Sequence, residues 1–132
     1  MRLNDSEWTV MGAVWSAAEG ARDGEVTARE VHDRIGDSAE WSYSTVRTLL
    51  ARLVEKSALR ERKRGNQSMY VALVTQDEAR SSAIRSLLER AFDGTFGSLL
   101  QHVVAREKLS KRDRAALANL VDELDPPKGA KS

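Results

Sequence analysis

One stretch of this chain alternates where the rest winds. In ALRERKRGNQSMYVAL, residues 58–73, Gly65-Asn66 separates LRERKR from SMYVAL. A Gly-Asn pair between two alternating runs predicts a β-hairpin. The sequence around it has helical period, so the expected fold class is mainly α with a small β-hairpin. The order then carries the information: helix, helix, helix, hairpin, more helices.

The helices mark their own starts. In NDSEWTVMGAVWSAA, Asn4 can cap and Glu7, three residues on, can reach back as a capping box. Trp8, Met11, Trp15 and Ala18, with Val14 beside them, fall on one face and predict the buried side. After the polar loop EGARDGE, Thr27 and Glu30 repeat the box. Val31 and Ile35 then make a buried stripe, and Gly36 ends the helix. The third helix lies in WSYSTVRTLLARLVEK, with Ser42 as its expected N-cap. Val46, Leu49, Leu50, Leu53 and Val54 are spaced i, i+3, i+4, i+7, i+8 and face a core. Thr45, Arg47, Thr48, Arg52 and Lys56 take the opposite side.

Beyond Leu73 a third box, Thr75 and Glu78, opens TQDEARSSAIRSLLERAF. Its apolar face is Ala83, Leu87 and Ala91, with Ile84 and Leu88. DGTFG breaks the pattern. SLLQHVVARE and SKRDRAALANLVDEL read as two further helices, the second striped by Leu117, Leu120, Val121 and Leu124. DPPKGAKS reads as a tail, because Asp-Pro-Pro cannot continue a helix. The expected divisions are therefore 1–74, 75–125 and a flexible 126–132.

Charge narrows the function classes. The net charge is only +1, but residues 1–40 hold four Arg against nine Asp/Glu, a net of −5. Residues 41–73 hold seven Lys/Arg against two Glu, a net of +5. A basic segment inside a neutral chain attracts polyanions, DNA above all, although a solvated charged face has the same composition. The absence of cysteine excludes disulfides, thiolate metal sites and Cys nucleophiles, and fits a cytoplasmic location. No apolar run approaches the roughly 18 residues of a membrane span. The start, MRLNDSEW, lacks the apolar stretch of a signal peptide. His32 and His102 are the only histidines and lie far apart. With no catalytic spacing and no phosphate-cradling glycine motif, no enzymatic activity, metal or cofactor is expected. Trp8, Trp15 and Trp41 read as core residues.

Three helices followed by a hairpin is the winged helix-turn-helix plan, here followed by a helical region suited to dimerisation. In such proteins the N-terminal residues of the recognition helix meet base edges in the major groove. The leucine half of WSYSTVRTLLARL would pack the helix, and its hydroxyl half would meet bases or phosphates. Arg62, Lys63 and Arg64 would form a wing on the DNA backbone. Each piece also has a plainer explanation. Hydroxyls commonly start helices, and a basic turn guards a hairpin edge against aggregation.

The stretches LNDSEWTVMGAVW, TAREV, WSYSTVRTLLARLVEK and MYVALV match, in order, the pattern of the penicillinase repressor (BlaI/MecI) family, which the chain resembles from about Leu3 to Leu124. The most specific piece is Trp-Ser-x-x-Thr-Val-x-Thr-Leu-Leu-x-Arg-Leu, without a gap from Trp41 to Leu53. The resemblance implies a homodimer that occupies a palindromic operator in double-stranded DNA. It places Tyr43, Ser44, Thr45, Arg47, Thr48 and Arg52 in the groove, with wing contacts near Arg64, Gly65 and Gln67. Dimerisation would use the C-terminal helices, through Leu87, Leu88, Phe92, Leu99 and Leu100. Val103, Leu117, Leu120, Val121 and Leu124 would complete that surface. The alternative is that these helices fold back on their own chain.

Some family members are inactivated by proteolysis after a membrane sensor-protease detects a β-lactam. Their scissile Asn-Phe pair aligns with His102-Val103 here, a departure that counts against that route. The cysteine motif of copper-responsive relatives is absent. Ser57 replaces the Gly frequent after the recognition helix, so a shifted turn is expected there. A ligand-sensing winged-helix regulator, or a winged helix that binds protein instead of DNA, are the competing functions.

Overall fold

The first helix starts by the expected exchange. The Glu7 amide donates to Asn4 Oδ1 and the Asn4 amide to Glu7 Oε1, both at 2.8 Å. The computed structural model describes residues 1–36 and 39–124. After α1 (Asp5–Glu19) come a 3₁₀ turn (Arg22–Gly24), β1 (Val26–Thr27) and α2 (Ala28–Ile35). The helix α3 (Tyr43–Glu55) precedes β2 (Leu59–Arg64) and β3 (Gln67–Ala72). Helices α4 (Gln76–Ala91), α5 (Phe96–Arg106) and α6 (Lys111–Leu124) complete the described chain. The expected class holds: helices with one small antiparallel sheet, in winged-helix order.

Three details differ from expectation. Strand β1 pairs with β3, Val26 opposite Tyr70 and Thr27 opposite Met69, giving the order β1-β3-β2. Two residues are too short to show alternation in sequence. Helix α5 starts at Phe96, two residues before SLLQ, because Thr95 caps it through the Ser98 amide. Finally, α1 buries Val10, Met11, Ala13, Val14 and Ala17, while Trp8, Trp15 and Ala18 are half-buried at the margin. The buried face is rotated from the expected one and includes Glu7, 1% exposed, whose carboxylate pairs with Lys56. Trp15 keeps one polar tie, donating Nε1–H to the Val74 carbonyl at 3.1 Å.

The core of the first compact unit, Met1–Ser86, unites α1, α2, α3 and the sheet. Its fully buried side chains include Met11, Leu50, Leu53 and Leu59. Burying each contributes about 1.5–3 kcal/mol relative to exposure. Truncating Leu53 to Ala would cost about 2–5 kcal/mol once the cavity is counted. The turn after α3 is not shifted. Ser57 itself adopts the left-handed conformation (φ 64°). Its amide donates to the Val54 carbonyl, and the Ala58 amide to the Leu53 carbonyl, both at 3.0 Å. That pair of bonds is the Schellman motif, and buried Leu53 and Ala58 supply its apolar contact.

A second compact unit begins at Leu87, so α4 runs across the boundary. The α4 stripe is mostly open. Leu88 is 3% exposed and Ala79, outside the expected face, 4%, while Ile84 and Leu87 are 40% and 38% exposed. The expected tail, 126–132, lies outside the described residues, as does the side chain of Leu124.

Candidate nucleic-acid interface

Ser42 fixes where α3 begins: its Oγ accepts the Thr45 amide at 3.1 Å. The first turn therefore carries Tyr43, Ser44 and Thr45 into solvent, while Val46, Leu49, Leu50 and Leu53 hold the helix on the core. Tyr43 is braced from α2. The Arg29 guanidinium lies 5.4 Å from its ring centroid, and the His32 ring meets it edge-on at 6.0 Å. His32 in turn donates from Nε2 to the Trp41 carbonyl at 2.9 Å, which pins the segment entering α3. It is a structural histidine.

The hairpin stands beside this helix. Its turn is Gly65-Asn66, and Gly65 takes a positive φ of 65°. Two hollows run between α3 and the sheet. One is lined from α3 by Tyr43 and Arg47 and from the wing by Lys63, Arg64, Asn66, Gln67, Ser68 and Tyr70. The other is lined by Tyr43, Ser44, Arg47, Thr48 and Ala51, with Glu61 and Tyr70 opposite. Because both share Tyr43, Arg47 and Tyr70, they form one continuous polar groove. Burial, then the Glu61 charge, push the Tyr70 phenol above its ordinary value despite nearby Arg47. It is therefore a neutral donor at the groove floor.

The groove brings together seven of the expected residues: Tyr43, Ser44, Arg47, Thr48, Lys63, Arg64 and Gln67. Thr45 and Arg52, seven residues apart, share a neighbouring exposed stripe and do not line it. Glu61, Ser68 and Tyr70 were missed. Their signal was the pairing of Glu61 with Tyr70 and Lys63 with Ser68, which sets all four on one face of the hairpin. Thr48 Oγ1 already donates to the Ser44 carbonyl at 3.1 Å, so its hydroxyl offers lone pairs to a ligand.

A sequence model described as penicillinase repressor matches residues 3–123. The chain belongs to the penicillinase repressor family. Over 119 residues it is 34% identical to an uncharacterized 16.5 kDa protein of Latilactobacillus sakei, covering 90% of this chain and 77% of that one. It is 25% identical to the methicillin resistance regulatory protein MecI of Staphylococcus aureus, over 92% of this chain and 94% of MecI. Identity to the penicillinase repressor of Bacillus licheniformis is also 25%, over 92% and 91%. The family is one of repressors, not enzymes.

In this penicillinase repressor homologue the wing arginines are not free. Arg62 Nη2 lies 2.8 Å from Glu25 Oε2 and Arg64 Nη2 lies 2.9 Å from Glu25 Oε1. Stripping one partner from a buried pair costs about 3–5 kcal/mol, less where the partner is solvated as these arginines are. Lys63 has no partner among the described residues. His102 and Val103 sit inside α5, with the Phe92 ring 5.7 Å from that of His102 and Glu107 Oε2 4.0 Å from its Nε2. A peptide bond there is helical, so a protease would have to unwind α5 to reach it. Among the described residues no cluster of metal-ligating groups occurs, and no helix is long and apolar enough to cross a membrane.

Proposed function

We propose that this chain is a homodimeric transcriptional repressor that occupies a palindromic operator through α3 and the basic wing. The observation that carries this is the groove, in which the polar side of α3 and the basic wing face the same opening. Helix α3 reads the major groove with Ser44, Arg47 and Thr48, while Tyr43 and Thr45 flank it and Arg52 meets the backbone. Lys63, Arg64 and Gln67 hold the adjacent backbone, with Arg62 behind them. Bound operator excludes polymerase, so the mechanism is occupancy and needs no chemistry from the protein.

The dimer reading rests on apolar side chains left open from α4 onward. Leu87, Phe96, Leu100, Val104, Leu120 and Val121 are 38–66% exposed. Leu88, Phe92, Leu99, Val103 and Leu117 are buried or half-buried beside them in sequence. A second copy covers such a surface by two-fold symmetry. On this reading, residues 1–74 bind DNA, 75–125 dimerise, and the protein works in the cytoplasm. One observation favours a ligand-sensing form of the same function. Val104, Glu107, Lys108, Leu109, Arg114 and Leu117 line a hollow between α5 and α6 that offers a small molecule apolar contacts and charges of both signs. A membrane sensor-protease remains the alternative route of release, acting near His102 and Val103.

Selection from a pool of randomised duplexes tests the whole reading. It should enrich an inverted repeat whose half-sites lie about one helical turn, or a multiple, apart. Light scattering should give twice the chain mass, and Leu120→Glu with Val121→Glu should give a monomer. Enrichment of no sequence, or a wild-type monomer bound to a single half-site, would contradict it.

A further inference from the structure

Glu25 has no role in the functions assigned above, yet it organises the wing. It immediately precedes β1 and is 7% exposed. Each of its carboxylate oxygens takes one guanidinium, Oε2 from Arg62 and Oε1 from Arg64. Arg62 and Arg64 stand two residues apart on β2, so both leave the same face of the strand. That face also carries Met69, which pairs with Arg62 in β3 and with Thr27 in β1. The two arginines therefore reach across β3 to Glu25. Each spends only Nη2 on the pair, and their side chains remain 58% and 61% exposed. Nε and Nη1 of both are left as donors.

Two outcomes are open when DNA approaches. The arginines could leave Glu25 for phosphate, or keep Glu25 and share. Leaving strands a buried carboxylate that has no other partner among the described residues. The loss on breaking a buried pair from one side exceeds the gain from one solvated ion contact. Sharing is therefore the stable arrangement. A guanidinium has five N–H donors in a rigid fork, enough for a carboxylate on one edge and a phosphate on another. Holding two such forks side by side also removes rotamer freedom before DNA arrives.

We propose that Glu25 is a positioning residue for a two-arginine phosphate clamp. It stays bound to Arg62 and Arg64 while their remaining N–H groups receive the DNA backbone. The proposal rests on the DNA-binding reading of the wing and adds a residue of opposite charge to it. Glu25→Gln makes the protein more positive, so a bystander carboxylate predicts tighter DNA binding on its removal. The clamp predicts the reverse.

The test uses the full chain and a short duplex of mixed sequence, titrated at several salt concentrations. Glu25→Gln should weaken binding by about 3- to 10-fold and lower the salt slope by about 1. In the Arg62→Ala/Arg64→Ala background, Glu25→Gln should change nothing further. Binding as tight as wild type or tighter, or equal weakening in both backgrounds, overturns the clamp while leaving DNA binding intact. Should Glu25→Gln unfold, wild-type NMR decides instead. The Nε–H signals of Arg62 and Arg64 should both move on adding the duplex, and if neither moves the clamp fails. No binding of the duplex by folded wild-type protein would instead remove the DNA-binding reading, and the clamp with it.

Discussion

Lys56 ties the end of α3 to the start of α1: its Nζ lies 2.6 Å from Glu7 Oε1 and 2.7 Å from the Arg2 carbonyl. Glu7 is thus both the reciprocal partner of the Asn4 cap and the anchor for the end of α3. Burial raises the pKa of its carboxyl. The hydrogen bonds from Lys56 and the Asn4 amide, with the charges of Lys56 and Arg52, outweigh burial and hold it below the ordinary carboxyl value of 4.5.

A lowered carboxyl pKa has a definite sign. The stability it contributes is present above the unfolded value and is lost as pH falls through the folded one. Melting temperature should therefore be level near neutrality and fall in acid below about pH 4.5. Glu7→Gln should cost about 1.5–3 kcal/mol at neutral pH, the range for a hydrogen bond to a charged group. The gap between variant and wild type should narrow as pH drops. A gap that stays constant into acid would show that charge plays no part.

Ser57 holds a left-handed φ of 64° that glycine adopts without strain. Ser57→Gly should raise stability by up to about 1 kcal/mol, since the relieved strain exceeds the extra unfolded-chain entropy by little. Ser57→Val should lower it. Denaturant melts of the three proteins check the order, and a destabilised Ser57→Gly would contradict the strain argument.

Much of this was legible in the sequence because it is local. Capping boxes at Asn4, Thr27 and Thr75, the Gly65 turn and the leucine face of α3 each depend on neighbours within a turn or two. What was not legible is non-local. Nothing near Glu25 announces Arg62 and Arg64, nearly forty positions on, and nothing near Glu7 announces Lys56. The buried side of α1 differs from the apolar pattern at Glu7, a carboxylate that the pattern would place in solvent and that lies 1% exposed beside Lys56.

The Thr48 hydroxyl donates to the Ser44 carbonyl, so toward DNA it accepts. Acceptors in the major groove read the amino groups of adenine or cytosine. Thr48→Val keeps the shape and removes the acceptor. It should cost about 1 kcal/mol on operator DNA and little on mixed-sequence DNA. Binding measured on both duplexes checks this, and equal losses would place Thr48 on the backbone instead.

Lys63 faces the groove with no partner among the described residues. Lys63→Ala should weaken binding to every sequence alike and reduce the salt slope by about 1. A loss confined to one sequence would make Lys63 a base reader.

The central claim is that α3 and the wing recognise a particular DNA sequence. Competition between a duplex carrying the selected inverted repeat and a mixed-sequence duplex of the same length measures it directly. The repeat should win by roughly 10³-fold or more at physiological salt. Equal competition by the two duplexes would contradict the account.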